Sequence, residues 1–219
     1  MDTPIIITLD GNIGAGKSTL LAAIAAAIPE VTVVAEPVGT WLTLKNAAGK
    51  SLLELFYEDT ERWAYTFQNC AILTRLLETQ KILRTYVPTP GKLPIIITER
   101  SVLTDRYVFA DMLHRQGKLD DLEWELYMKW FDAFAADLPI KGIIYLTTGV
   151  GTSADRIKLR HRAGEDSIPT AYLSDLDSQH ASWIDSIHLP VLRVNTDVGH
   201  TIDDAVDAVR TWIKTLLPS

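Results

Sequence analysis

Eight residues near the start of the chain, Gly11-Asn12-Ile13-Gly14-Ala15-Gly16-Lys17-Ser18, limit the folds open to it more than any other feature. They fit the pattern G-x-x-x-x-G-K-S, follow an apolar run at 5–9 and open into Thr19-Leu20-Leu21-Ala22, a sequence suited to a helix start. A strand, a glycine-rich turn and a helix in that order direct backbone N–H groups and the positive end of a helix dipole at one point, which suits phosphate oxygens. Lys17 then reaches the terminal phosphates of a nucleotide, ATP being the default, and Ser18 can hold Mg2+. Average residue frequencies make a chance match in 219 residues an event on the order of one in a hundred, before strand and helix are required. The loop alone does not separate kinases from GTPases or motor-type ATPases. A GTPase would usually add N/T-K-x-D and D-x-x-G segments, and this chain has neither.

The rest of the chain agrees with a sheet built around that loop. Apolar or β-branched runs recur at 5–9, 31–35, 94–98, 143–147 and 191–195, separated by segments with helical periodicity. The alternation predicts an α/β fold of the P-loop NTPase type, three layers with a five-stranded parallel sheet flanked by helices. Strands so continuously apolar are covered on both faces, so functional residues are expected at their carboxyl ends. The punctuated stretch at 88–94 reads as a loop between a long helix and the third strand, and 1–219 reads as one domain.

Charge and composition narrow the partners. With 21 basic and 28 acidic residues the formal net charge is −7, which repels polyanions and points to a small-molecule partner rather than nucleic acid or an anionic membrane. The single cysteine, Cys70, excludes an intramolecular disulfide and fits a reducing compartment. The N-terminus lacks the basic start and cleavage site of a signal peptide, and no apolar run approaches membrane-spanning length, so a cytoplasmic location is expected.

Three groups of residues fall where a phosphate-loop enzyme needs them. Ala35-Glu36-Pro37 closes the second run, offering a carboxylate that either takes the proton of an attacking hydroxyl or stands in water before a turn. Glu99 and Arg100 end the third run; Glu99 can bind Mg2+ or its waters and Arg100 can hold an acceptor oxygen, the alternative being a strand-end ion pair. The block at 155–162 concentrates positive charge in an acidic protein. A helix there would present Arg156 and Arg160 on one face with Arg162 at its end, either as forks for phosphoryl oxygens or as a solvated basic face.

In this order the pieces resemble the deoxynucleoside kinase family, particularly its deoxycytidine and deoxyguanosine kinases, over nearly the whole chain. The matching runs are G-N-I-G-A-G-K-S at 11–18, E-P-V at 36–38 with Trp41 beyond it, L-L-E-L-F-Y at 52–57 and R-W-A-Y-T-F-Q at 62–68. They continue with E-R-S-V-L-T-D-R-Y-V-F-A at 99–110, G-I-I-Y-L at 142–146 and R-I-K-L-R-H-R-A-G-E at 156–165. The resemblance implies transfer of phosphate from ATP to a deoxynucleoside 5′-hydroxyl, with Glu36 as base assisted by Arg100, and Ser18 and Glu99 on the Mg2+ side. It places Tyr57 and Glu165 at the sugar 3′-hydroxyl, and Arg156, Arg160 and Arg162 in an arginine-rich lid at roughly 152–168. Gln68 would meet the base edge, with Phe67, Trp41 and Phe109 lining the base. It also implies a homodimer to which the helix expected at 120–138 contributes, although a core helix carrying Trp124, Tyr127 and Phe131 along one side reads the same way.

Helical spacing puts Gln68, Ala71 and Arg75 on one face, with Ala71 leaving room between two polar heads. A buried Arg75 requires an anion, and Asp105 is the candidate. Within the family, this Ala, Arg and Asp set resembles members that accept deoxycytidine or purine deoxynucleosides, whereas thymidine-preferring members carry apolar or small residues at the last two positions. No mitochondrial address is expected from the N-terminal residues, and the stretch at 194–200 matches the family's donor-base segment poorly, leaving the donor base open. A thymidylate-kinase-like monophosphate kinase is the alternative, since E-P-V-G-T at 36–40 also suits it, but Ala35 stands where such a site usually supplies an arginine for the acceptor's phosphate. A nucleotide-binding regulatory module without transfer chemistry is more remote. The lone histidines show no ligand spacing, so no resident metal site is expected beyond the Mg2+ that accompanies ATP.

Overall fold

The computed structural model describes residues 4–162, 164–165, 168–197 and 199–217. Five parallel strands, β1 (Ile5–Gly11), β2 (Thr32–Val34), β3 (Ile95–Glu99), β4 (Ile140–Thr147) and β5 (Val191–Asn195), form one sheet in the order β2-β3-β1-β4-β5. The chain leaves β1, fills positions on one side with β2 and β3, and returns to build β4 and β5 on the other. β1 is thus the strand at which the order reverses, and the crevice beyond its carboxyl end is the position an open α/β sheet offers a ligand.

Alternation along β1 decides which helices cover which face. Ile7 and Leu9 point into a core shared with α1 (Lys17–Ala27) and α10 (Ile202–Ile213), where they meet Leu20, Ile24, Val206 and Val209. Ile6 points the other way, onto α4 (Thr60–Thr85) and α7 (Asp121–Phe134), among Ile72, Tyr127 and Phe131. A third cluster joins β4 to α8 (Val150–Arg160) and α9 (Thr170–Ser186) through Ile143, Tyr145, Ile157 and Leu173. With apolar side chains buried on both faces, each interior strand contributes about 1.5–3 kcal/mol per fully buried Ile or Leu before chain entropy is set against it.

The remaining helical elements pack around α4. They are α2 (Val38–Thr43), α3 (Leu52–Glu58), α5 (Val102–Thr104), a π-helical segment Asp105–Ala110 and α6 (Asp111–Arg115). A short 3₁₀ turn, Lys214–Leu216, follows α10.

Several boundaries differ from the sequence reading for local reasons. β2 keeps only three residues, so Glu36 lies two residues beyond the strand rather than at its end, in the turn made by Pro37 before α2. The helix expected at 120–138 is α7, because Asp120 is its N-cap in a capping box with Glu123 and the last turn closes at Ala135. β4 begins at Ile140, three residues earlier than expected; it includes Gly142, where an added Cβ would meet Trp212 at 2.8 Å. Of the lid stretch, positions 163, 166 and 167 lie outside the described residues, as do 198 in the donor-base stretch and 1–3 at the N-terminus.

Candidate active site

The phosphate loop occupies the crevice at the end of β1. Gly16 has φ +91° and supplies no side-chain cap to α1, so the first N–H groups of that helix remain available to an anion. Gly14, at φ +79°, is the tightest point: a Cβ there would clash with the Ser153 carbonyl oxygen of α8. Asn12 ties the loop to α9 by donating Nδ2–H to the Leu173 carbonyl at 2.8 Å, and accepts from Ile13 N–H at 2.8 Å. Lys17 Nζ donates to the carbonyls of Gly11 (3.1 Å) and Asn12 (2.7 Å). Burial, reinforced by Arg100, lowers its pKa to about 7 against the pull of Glu99 and Glu36. Ser18 Oγ donates to Glu99 Oε1 at 3.0 Å, so a hydroxyl from α1 and a carboxylate from β3 share one spot beside the loop.

A cavity of about 520 Å³ extends from this loop. Gly14, Gly16, Lys17, Ser18, Thr19 and Glu99 line it together with Asn195, His200 and Thr201. Arg156, Arg160 and Arg162 line it too, brought there by α8 and the left-handed residue His161 (φ +48°) that ends it. Arg156 donates Nη2–H to the Thr196 carbonyl at 2.7 Å. Arg160 and Arg162 both turn to Glu165, which is 3% exposed: Arg160 Nη2 donates to Oε2, and Arg162 Nη1 to Oε1 at 3.1 Å.

Next to the loop, three charged side chains from three elements meet around Glu36. Arg100 Nη1 and Arg75 Nη2 both donate to Glu36 Oε1, at 2.8 and 3.0 Å. Arg100 Nη2 also donates to the Gly11 carbonyl at 3.3 Å, which joins this group to the phosphate loop. Burial works to raise the Glu36 carboxyl, but Arg100, Arg75 and Lys17 outweigh it and hold it well below the usual carboxylate range. Arg75 also donates Nε–H to Asp105 Oδ2 at 2.8 Å and Nη1–H to the Glu99 carbonyl at 3.1 Å. Three of its five N–H donors are engaged in these bonds, and against the cost of burial Asp105 and Glu36 hold it firmly charged. The pair expected from the sequence, Arg75 with Asp105, therefore forms, and Glu36 is a second partner the sequence did not indicate.

The side chains expected around the base gather beside this group. Trp41 meets Phe67 edge-on at 5.3 Å and donates Nε1–H to Thr74 Oγ1 at 3.1 Å, while the Arg75 guanidinium lies 5.5 Å from its ring. Phe67 stacks on Phe56 at 4.5 Å, and Ala71 is buried in the same cluster. Gln68 is 1% exposed, and its Oε1 finds no partner among the described residues. Phe109, on the π-helical segment, lies 5.0 Å from the Arg100 guanidinium. Tyr57 lies near enough to Tyr172, Glu165 and Arg100 to feel them: burial first, then Tyr172 and Glu165, raise its hydroxyl well above its usual value.

Among the described residues, no three His, Cys, Asp or Glu side chains converge as a metal site, and no helix is long and apolar enough to cross a membrane.

A phosphate-binding loop beside a buried carboxylate held by arginines, with an aromatic cluster next to it, is an arrangement that suits a nucleoside phosphotransferase. A family model described as deoxynucleoside kinase matches residues 7–217. The chain belongs to the deoxynucleoside kinase family. It is 33% identical to Homo sapiens deoxycytidine kinase over 238 residues, covering 96% of this chain and 91% of that one. Identity to the probable deoxycytidine kinase of Fowlpox virus is 38% over 214 residues (94% and 84% covered). Identity to the mitochondrial deoxyguanosine kinase of Xenopus laevis is 29% over 216 residues (87% and 81% covered). These matches do not favour a monophosphate kinase.

Reading the kinase's sequence missed several residues that structure its site. Tyr172 on α9 is among them; its hydroxyl is pushed up by burial, against the charge of Arg100, and it packs against both the Trp41 and the Phe109 clusters. No motif marks it. Thr148 and Thr196 both donate to the Ala15 carbonyl and brace the loop from β4 and β5. Asp10 did carry a signal, a carboxylate at the end of a largely apolar strand.

Proposed function

We propose that this kinase transfers the γ-phosphoryl group of ATP to the 5′-hydroxyl of a deoxynucleoside. The observation that carries this reading is Glu36, fixed by Arg75 and Arg100 while Arg100 itself grips the Gly11 carbonyl of the phosphate loop. An acceptor hydroxyl that hydrogen-bonds Glu36 is then held against the terminal phosphate. Its oxygen forms the new P–O bond, the bond to the β-phosphate oxygen breaks to release ADP, and the hydroxyl proton passes to Glu36. Arg100 is placed to hold the acceptor oxygen. Arg156, Arg160 and Arg162 would close over the donor phosphates as a lid at about 152–168 of a single domain, and Glu165, paired with two of them, couples closure to the sugar hydroxyl it shares with Tyr57.

The donor set suits Mg2+. Ser18 Oγ and Glu99 Oε1 are hard oxygen ligands 3.0 Å apart at the loop, and a protein supplying only one or two such groups, leaving the rest to phosphates and water, is the usual arrangement for this ion. When bound it supplies charge neutralisation to the phosphates. Lys17 and the N–H groups of α1 do the remaining work of orientation.

For the acceptor base we assign a preference for deoxycytidine or a purine deoxynucleoside over thymidine. Gln68 offers an unpaired buried acceptor, Asp105 an acceptor for an exocyclic amino group, and Arg75 a donor. Turnover of the four deoxynucleosides, ribocytidine and thymidine monophosphate with Mg-ATP tests both parts. Phosphorylation of the monophosphate in preference to every nucleoside would overturn the assignment of the acceptor.

We further assign a homodimer. Leu122, Leu126, Trp130 and Phe134 repeat every fourth residue along α7 and are 76%, 46%, 46% and 52% exposed, and Leu73 and Leu77 extend the apolar surface on α4. Trp124, Tyr127 and Phe131 face the core instead, so α7 is apolar on two sides, one more than a monomer needs. Leu126→Glu with Trp130→Glu is expected to halve the mass measured in sedimentation. A cytoplasmic location remains the expectation from the sequence.

A further inference from the structure

Arg100 adopts a backbone conformation, φ +58°, that non-glycine residues avoid, and it does so at the corner where β3 turns into α5. Such a corner persists only when its surroundings hold it. Upstream, Arg100 N–H donates to the Leu9 carbonyl at 3.0 Å, and the Glu99 carbonyl accepts from Arg75 at 3.1 Å. Downstream, Ser101 is the N-cap of α5 and its N–H donates to Thr104 Oγ1 at 3.2 Å. Thr104 in turn donates its hydroxyl to Asp10 Oδ1, and Thr8 donates to Asp10 Oδ2.

Thr8, Asp10 and Thr104 are all essentially inaccessible to solvent, at 0% exposure. Three consecutive residues of β1 thus dock the corner: the Leu9 carbonyl takes its backbone N–H, the Gly11 carbonyl takes the Arg100 guanidinium, and the Asp10 side chain takes Thr104. The Gly11 carbonyl is also a partner of Lys17. One strand end therefore sets the donor-side lysine and the acceptor-side arginine in a common frame.

We infer that Asp10, acting through Thr104, is a positioning residue that fixes the strained turn at Arg100 and so aligns its guanidinium with Glu36 and the acceptor hydroxyl. A buried charge is costly unless it is well hydrogen-bonded, and an apolar side chain would fill a strand interior at no such cost. Asp10 does not line the cavity beside the phosphate loop, and neither do its hydrogen-bond partners Thr8 and Thr104. Burial pushes its carboxyl up against the two hydroxyl donors, then Arg100 and Lys17. The network links the corner to the strand without touching a ligand.

The inference rests on the reading that Arg100 acts on the acceptor, and the experiment separates the two. Steady-state kinetics with the preferred deoxynucleoside and Mg-ATP are compared for Asp10→Asn, Thr104→Val, Thr104→Ser and Arg100→Ala, and for Asp10→Asn and Thr104→Val each combined with Arg100→Ala. Asp10→Asn and Thr104→Val are expected to lower kcat about 10- to 100-fold, the scale for a displaced orienting group, with KM for ATP within about threefold of the parent. Thr104→Ser, which keeps the hydroxyl, recovers most of the turnover. In the Arg100→Ala background neither change lowers kcat further, because the group they orient is gone. Thr104→Val, which keeps the side chain's shape, carries the test if Asp10→Asn fails to fold. An equal additional loss in that background, or equal kcat for Thr104→Val and Thr104→Ser, overturns the positioning role alone. Unchanged kcat in Arg100→Ala overturns the assignment of Arg100 and the positioning role with it.

Discussion

Arg75 is buried between two carboxylates, and this pairing makes the energetics of the proposed base site calculable. Replacing Asp105 by Ala removes the acceptor of Nε–H but leaves Glu36 at 3.0 Å and the Glu99 carbonyl at 3.1 Å, so the guanidinium keeps one counter-charge. Breaking one side of a buried pair costs about 3–5 kcal/mol, and the retained partner places Asp105→Ala near the lower value. Arg75→Met strands Asp105 and removes one of two donors from Glu36, which places it near the upper value. The double change strands neither partner at the Asp105 side, and Glu36 keeps Arg100 at 2.8 Å, so its loss falls short of the sum by about 2–3 kcal/mol. Urea denaturation of the parent, both single variants and the double variant measures this directly. The same four proteins report on the base. A hydrogen bond to a charged group is worth about 1.5–3 kcal/mol, which is about a 10- to 150-fold change in kcat/KM for deoxycytidine relative to thymidine. Additive stability losses would refute the coupling, and an unchanged ratio of deoxycytidine to thymidine in the double variant would show that the pair reads nothing on the base.

Three further outcomes follow from single side chains. Glu36→Gln keeps the shape of the side chain but cannot take a proton, and is expected to lower kcat about 10²- to 10⁴-fold with ATP binding by calorimetry retained; full turnover would remove Glu36 from the mechanism. His180 is buried with its Nδ1 on the Leu176 carbonyl and no partner for Nε2 among the described residues, and burial, then Arg100, lowers its pKa from 6.5 to about 3. Between those values the unfolded chain binds a proton the folded one does not, so stability is full above pH 6.5 and falls by about 1.4 kcal/mol per unit as the pH drops towards 3. His180→Phe should flatten that slope in urea titrations at pH 7, 6 and 5, and an unaltered slope would point to other groups. Gly14→Ala brings a Cβ against the Ser153 carbonyl at a residue with φ +79°, so KM for ATP should rise at least about tenfold with a lower melting temperature; parent-like values of both would mean the loop yields freely.

What the sequence revealed and what it hid differ in physical kind. The phosphate loop, Glu99 and Arg100 are legible because local chain geometry dictates them: a glycine-rich turn after an apolar strand can point only one way, and a charge at a strand end emerges at the sheet's edge. The face shared by Gln68, Ala71 and Arg75 is legible because helical period fixes it. Contacts between distant elements are different. That Glu36 is a second partner of Arg75 depends on β2 stopping at Val34 and Pro37 turning the chain, a two-residue matter no periodicity reports. Tyr172 reaches the Trp41 cluster only because α9 packs against β4. The π-helical segment Asp105–Ala110, which carries both Asp105 and Phe109, has no sequence signature separating it from an α-helix.

If Glu36 is the base, as proposed, the charge arrangement explains how a carboxylate so firmly ionised serves as the proton acceptor. At the depth of Glu36 an unpaired carboxylate would take up a proton and cease to be a base at all, and Arg75 and Arg100 prevent this by holding it ionised. The consequence is weak basicity. Phosphoryl transfer tolerates that, because its loose transition state leaves the hydroxyl proton in place until bonding to phosphorus is well advanced, by which point the oxygen is a far stronger acid than a free alcohol. The demand on Glu36 before that moment is orientation rather than proton affinity, and orientation is what two guanidinium forks from separate elements provide. The same arginines keep Glu36 charged and fixed, and Arg100 ties it to the phosphate loop through the Gly11 carbonyl, so under the proposed mechanism one set of hydrogen bonds would align donor and acceptor.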